Sequence, residues 1–155
     1  MLDALVRYAR TESDEQVAAA IESAVHRKRM PRSDVSELFL RLPKRFHRLR
    51  PRLTFGAESG LETIGRLRLE DEGYRPAEQV KIGPDRVDLV IDGWLAIELD
   101  GDRWHDPVKD RIRTNRLIRA GYRVLRFGYL EVFDHWADTL ATVQEMLGER
   151  HPAFR

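Results

Sequence analysis

The sequence predicts an α/β protein with a mixed sheet, preceded by a short helical N-terminal region. Three observations carry that prediction. β-rich runs alternate with helical hydrophobic stripes across residues 57–150, the interleaving that layered α/β folds require. Gly83-Pro84 and Asp92-Gly93 divide three of those runs at strong turn signals. Pro31, Pro43 and Pro51 cut the first third of the chain into short helical pieces.

The N-terminal pieces read as follows. Ser13 and Gln16 have the spacing of a capping box, and Val17, Ile21, Ala24 and Val25 then recur at helical intervals. Ser33 can cap a second helix, whose Val35, Leu38, Phe39 and Leu42 form one stripe before Pro43. A third, basic segment runs from Lys44 to Arg52 around Phe46 and Leu49.

The composition shifts near Thr54–Ser59, which places a boundary between a basic helical region, residues 1–56, and an α/β domain, residues 57–155. Leu61, Ile64 and Leu67 space a helix that Gly73 ends. Gln79–Ile82, Arg86–Ile91 and Trp94–Asp100 read as strands. Asp106–Ala120 reads as a charged helix stopped by Gly121, and Tyr122–Phe127 as a fourth strand. Phe133, Trp136, Leu140, Val143 and Leu147 form the stripe of a last helix.

Composition narrows the function. The chain has 155 residues, 42% of them hydrophobic and 34% charged, enough for one domain with a core plus a small extension. No apolar run approaches the ~20 residues of a membrane span, and the N-terminus has no signal-peptide pattern. With no cysteine, disulfides and thiolate metal sites are excluded, and a cytoplasmic setting is expected. The net charge of +1 hides an asymmetry: residues 1–56 carry 12 Lys/Arg against 7 Asp/Glu, residues 57–155 carry 15 against 19. A basic arm beside an acidic body suits a protein that holds a polyanion near a cation site. Lys44, Arg45, Arg48 and Arg50 are then the candidate DNA contacts. The same residues also suit the wet side of amphipathic helices.

The acidic centre lies in Arg86–Gly101, where Asp88, Glu98 and Asp100 interrupt otherwise apolar strands. A carboxylate there needs a partner or a metal. Glu98 and Asp100, two apart, project from one side of their strand. A three-residue loop, Ile91–Gly93 with Gly93 at positive φ, pairs Asp88 with Ala96 and adds Asp88 to that side. Val87, Leu89, Ile91, Leu95, Ile97 and Leu99 then share the opposite, apolar face. A one-residue slip would split the apolar set, so the pattern selects this register over a two-residue loop. Hard cations such as Mg²⁺ take one or two carboxylates plus water and substrate phosphate. There is no GxGxxG and no Walker A lysine, which argues against dinucleotide and NTPase functions.

Asp88, then about ten residues later Glu98-Leu99-Asp100-Gly101 with Trp104-His105 just beyond, resembles the Vsr-like (very-short-patch-repair-like) group of PD-(D/E)XK endonucleases. The resemblance takes in Ser59-Gly60-Leu61-Glu62, Arg86-Val87-Asp88-Leu89, and Gly121 to Phe127, roughly residues 57–150 in all. It implies a restriction-endonuclease-like α/β/α core that hydrolyses DNA with Mg²⁺ or Mn²⁺. Asp88 would be the metal-bridging aspartate, Glu98 the acidic member of (D/E)XK, and Glu62 a supporting helix glutamate. Glu62 is equally explained as the last member of a Ser59-x-x-Glu62 capping box that bonds back to Ser59. Longer relatives carry a winged-helix, antitoxin-like module upstream, so a fragment of such a protein, or a toxin/antitoxin partner, is an open expectation.

Asp100 stands where most of the superfamily has lysine. Vsr-like relatives commonly lack it too and carry a histidine nearby. His105 is the candidate, as general acid–base, phosphate contact or a structural histidine. Lys81 or Lys109 could supply the missing charge. Lys109, Arg111, Arg113, Arg116 and Arg119 on the following helix are further phosphate contacts or a solvated helix face. Glu98–Gly101 resembles only superficially the Asp-x-Asp-Gly of haloacid-dehalogenase-like phosphatases, since the nucleophilic aspartate and the following threonine are missing. No EF-hand fits Asp100–Asp110. The alternative from another class is a catalytically inactive DNA-binding or antitoxin-like regulatory protein on the nuclease fold.

Overall fold

The computed structural model describes residues 1–101 and 106–148. The chain divides into two compact units, residues 1–67 and 68–155. The division falls inside a helix, beyond the composition shift at Thr54–Ser59.

The first unit is helical. It contains α1 (Leu2–Tyr8), α2 (Asp14–His26), α3 (Val35–Arg41), a 3₁₀ helix over Lys44–Arg52 and the start of α4 (Gly60–Asp71). α1 was not foreseen. The expected capping box opens α2: the Gln16 N–H donates to Ser13 Oγ at 3.3 Å, and the Ser13 N–H donates to Gln16 Oε1 at 3.1 Å. Ser33 does not cap α3. A 3₁₀ turn over Arg32–Asp34 precedes that helix instead, and the Ser33 hydroxyl donates to Asp34. Leu5, Ala9, Val17, Ile21, Leu38, Phe39, Phe46 and Leu49 build one buried core.

Inside that core lies an ion pair, Glu22 with Arg66, each side chain only 1% exposed. Glu22 Oε1 accepts from the Thr54 N–H at 2.8 Å and the Phe55 N–H at 3.0 Å, and Oε2 from the Thr63 hydroxyl at 2.7 Å. Burying a carboxylate is tolerated here because both of its oxygens accept hydrogen bonds. Phe55 has φ +62°, an uncommon conformation for a bulky residue, and its amide is one of those donors.

The second unit holds a four-stranded sheet in the order β1 (Ala77–Ile82), β2 (Asp85–Ile91), β3 (Leu95–Asp100), β4 (Arg123–Gly128). β1–β2 and β2–β3 are antiparallel. β3 and β4 are parallel and joined through α5 (Pro107–Arg119), as a parallel connection demands. The sheet is therefore mixed and flanked by helices, the fold class the sequence predicts. α5 starts on Asp106, whose carboxylate accepts from the Val108 and Lys109 N–H groups, with Pro107 in the first turn. It ends at Gly121, φ +92°, where the Tyr122 N–H returns to the Leu117 carbonyl. The last helical stripe is split into α6 (Tyr129–Phe133) and α7 (Trp136–Gly148). Val87, Val90, Ala96 and Leu117 of α5 pack together, with Val80, Ile82, Tyr122 and Val124 against them. Leu89, Ile91, Leu95, Ile97 and Leu99 are also buried, so β2 and β3 are covered on both faces.

The hairpin register corrects the expected one. Leu89 pairs with Ile97, Val90 with Ala96 and Ile91 with Leu95, not Asp88 with Ala96. The loop is Asp92–Trp94, with Asp92 at φ +53° and Gly93 at φ +75°. Keeping Ile91 in the ladder opposite Leu95 buries both side chains, whereas the expected loop would have spent Ile91 in the turn. The slip is by two residues, an even number, so it leaves facing unchanged along the paired stretch.

Candidate active site

The acidic residues sit where the β2–β3 ladder gives out. No pairing is made beyond Leu89–Ile97. In its place Asp88 Oδ2 accepts the Leu99 N–H at 2.8 Å, so a side chain substitutes for a backbone acceptor. The face alternation breaks at the same point. Val87 was expected beside Leu89, yet it packs with Val90 and Ala96 under α5, and Asp85 also meets α5. Opposite the break, Gln79 of β1 has φ +51°. An irregularity of this kind re-aims a side chain, and here it turns Asp88 toward β3.

The structure brings Asp88 and Glu98 together, with Asp100 near enough to act on Asp88. Burial is the main cause that pushes the Glu98 carboxyl up to about 7. The Asp88 charge adds to the rise, and the Arg113 and Arg126 guanidiniums oppose it. Burial likewise raises Asp88, opposed by the Leu99 N–H and Arg113, and reinforced by Asp100. Glu98 Oε2 contacts Arg113 Nη1 at 2.9 Å, while Oε1 is buried with no hydrogen-bond partner among the described residues. A buried carboxylate oxygen of this kind fits the ligand of a cation.

Arg113 has contacts that the sequence reading did not foresee. It was expected among the phosphate contacts of a helix surface, but it pairs with Glu98, donates to the Arg86 carbonyl and lies 4.0 Å from Asp85. Asp85, not foreseen at all, is buried and held by Arg116, with Nε to Oδ2 at 2.7 Å. That hydrogen bond is the main reason its carboxyl lies below the ordinary value. The available signal was helical spacing: Arg113 and Arg116 flank Leu117 on α5, and an arginine on the buried side of a helix needs a carboxylate.

The other expected residues are placed as follows. Glu62 lies in the first unit, where its N–H donates to Ser59 Oγ at 3.2 Å and its Oε2 accepts from the Glu58 N–H at 2.7 Å. The back-bond of the expected capping box thus reaches Glu58, one residue earlier than Ser59. His105 lies outside the described residues. Lys81 is exposed on β1, and Lys109 pairs with Asp106 at 3.8 Å. In the basic segment, Arg45 donates to the Ala9 carbonyl, Arg48 pairs with Asp14 at 2.7 Å and Arg50 donates to Ser36 Oγ. These arginines stitch the helices of the first unit together. Lys44 is exposed.

Among the described residues, no group of three or more His, Cys, Asp or Glu side chains forms a metal-binding set. Asp88 and Glu98 make a two-carboxylate donor set with one unused oxygen. That fits a hard cation which keeps waters and takes phosphate oxygens, and not an all-protein cage.

No curated protein matches the chain. Among solved structures, the catalytic domain of the homing endonuclease I-Bth0305I is similar at a TM-score of 0.44 and 21% identity, over 57% of this chain and 89% of that one. The family REase_MTES_1575 matches residues 66–147, just over half the chain and all four strands. The chain therefore belongs to REase_MTES_1575, a restriction-endonuclease-like family.

Proposed function

We propose that this protein is a divalent-metal-dependent endodeoxyribonuclease of the PD-(D/E)XK type, Vsr-like in subtype, in which Asp88 and Glu98 hold Mg²⁺ or Mn²⁺. The observation that carries the reading is the buried Oε1 of Glu98, without a hydrogen-bond partner among the described residues, beside Asp88 at the break in the hairpin. When bound, such an ion lowers the pKa of water and offsets charge developing on a phosphate. The protein's part is orientation. The Leu99 N–H and the Gln79 side chain hold Asp88, and Arg113 pairs with Oε2 of Glu98, so among the described residues Oε1 of Glu98 is the oxygen left over.

Asp100 adds negative charge that acts on Asp88. His105 as proton or phosphate partner, and Glu62 as support, are kept on the resemblance. DNA is the proposed substrate, with Lys44, Arg45, Arg48, Arg50 and Lys109 as backbone contacts and the cytoplasm as the setting. Among the described residues, no helix is long and apolar enough to cross a membrane.

Supercoiled plasmid incubated with the protein is expected to be nicked or linearised with Mg²⁺ or Mn²⁺, and to stay intact with EDTA. Cutting in EDTA, or none in either metal, sinks the reading. Protons should also compete for the site. Because Glu98 retains its proton up to about 7, Mn²⁺ affinity should fall about tenfold for each pH step below that value and level off above it. Calorimetric titrations at pH 5.5, 6.5 and 8 measure this, and a flat profile removes Glu98 from the ligand set.

One observation favours the rival, a catalytically inactive DNA-binding or antitoxin-like regulator. Among the described residues no three acids or histidines come together as a metal-binding group. That protein would bind duplex DNA without Mn²⁺ and never cut it.

A further inference from the structure

Residue 100 is aspartate where a lysine is expected, and neither Lys81 nor Lys109 is in contact with the acids. Among the described residues the cation in contact with Glu98 comes instead from α5, with Arg126 of β4 acting on it without an ion-pair contact. Arg113 is about three-quarters buried, with Nη1 2.9 Å from Glu98 Oε2 and Nη2 donating to the Arg86 carbonyl. Its third neighbour, Asp85, is 4.0 Å from Nε. Asp85 cannot hold Arg113 strongly, because Arg116 already engages both Asp85 oxygens. The guanidinium is therefore oriented by a carbonyl and a carboxylate but spent on only one strong ion pair. A planar guanidinium keeps further donors for a phosphate oxygen, and it is never deprotonated in water. Its partner Glu98 is the residue whose Oε1 has no hydrogen-bond partner among the described residues.

We infer that Arg113 is the catalytic cation of this centre: it supplies from α5 the positive charge that residue 100 lacks, and passes from Glu98 to the scissile phosphate when DNA is bound. The inference rests on the nuclease reading. In DNA-free protein Arg113 covers Glu98 Oε2 and neutralises part of the acidic pair. A phosphate arriving beside the acids offers the guanidinium two anionic oxygens, a better bidentate match than one carboxylate oxygen. Glu98 is then released for the ion. No proton moves, since arginine acts by charge and geometry alone.

The rival account is an ion pair that only holds Glu98 in place. The two separate on metal affinity and turnover measured together in full-length protein. Arg113→Ala and Arg113→Gln should bind Mn²⁺ at least as tightly as wild type by calorimetry, because a positive charge beside the site is gone. At saturating Mn²⁺ they should nevertheless lose about 10²–10³-fold in single-turnover plasmid cleavage, the cost of removing one transition-state donor. Arg113→Lys should recover part of that loss. Undiminished cleavage by the Gln variant at saturating Mn²⁺ overturns the inference. So does weakened Mn²⁺ binding with cleavage restored by excess metal, since a residue that merely positions Glu98 behaves that way. If wild type itself neither binds Mn²⁺ nor cuts, the nuclease reading has failed and the inference falls with it. Circular dichroism on each variant separates loss of function from loss of fold, with the Lys variant deciding if the smaller side chains unfold.

Discussion

Glu98→Ala is expected to end metal-dependent cleavage while the protein stays folded. Losing a metal ligand removes several kcal/mol of transition-state stabilisation, about 10³-fold or more in rate. Glu98→Gln should be nearly as inactive although it keeps the shape, because an amide neither carries charge nor binds a hard cation well. Stability without metal should behave in the opposite sense. The folded protein holds the Glu98 proton up to about 7, whereas the unfolded chain releases it near 4.5. Between those values the native state binds more protons, so this group makes stability fall as pH rises through the window. Glu98→Gln abolishes that dependence. Its Tm relative to wild type should be unchanged or lower near pH 4 and equal or higher at pH 8. The Arg113 guanidinium limits the gain, since the variant leaves it with only the Arg86 carbonyl and the distant Asp85. A Glu98→Ala protein that cuts at the wild-type rate would show the catalytic assignment to be wrong. One that melts far below wild type at pH 8 would show Glu98 to be a structural acid paired with Arg113.

Much of this unit was legible because local chemistry and burial agree in it. Gly73 and Gly121 stop helices, and Asp92-Gly93 turns the hairpin at positive φ, each for reasons readable from residue type. The acids were legible because carboxylates in an apolar strand demand an explanation. What was not legible depends on contacts between distant segments. Periodicity assumes an unbroken strand, and it put Val87 on the wrong face because the break opposite Gln79 leaves no local mark. Hairpin register was missed by two residues for a related cause: the pattern fixes which face is buried, but not how many residues the loop spends. Arg113 and Asp85 belong to different elements, and only the packing of α5 on the sheet joins them. α1 is a short helix whose single buried residue, Leu5, gives no period to read. The basic segment's charge suggested a nucleic-acid arm, and what its charge could not show is that Arg45, Arg48 and Arg50 each also have a partner elsewhere in their own unit.

The largest stability effect is expected from Glu22→Ala. An ion pair in a core often contributes little net stability, because desolvation offsets its attraction. Breaking one is different. Alanine would take the Glu22 counter-charge away from Arg66, 1% exposed, and breaking a buried pair from one side costs about 3–5 kcal/mol. Two backbone donors, the Thr54 and Phe55 amides, and the Thr63 hydroxyl would lose their acceptor in the same step. The Phe55 backbone, at φ +62°, would lose one of the bonds that keep it there. A drop in Tm on the order of 10–20 °C is expected from those magnitudes. Glu22→Gln should fall between, since its oxygen can still receive the two amides while Arg66 loses the Glu22 charge. The informative variant is Glu22→Leu with Arg66→Met. If the broken ion pair dominates, replacing both by apolar residues should restore most of the loss despite the orphaned amides. If the amides dominate, the double variant should be no better than Glu22→Ala, and Glu22 then acts chiefly as a clamp on the Thr54–Phe55 turn. A Glu22→Ala protein that melts within about 2 °C of wild type would mean that water reaches Arg66 and that the pair is not sealed from solvent at all.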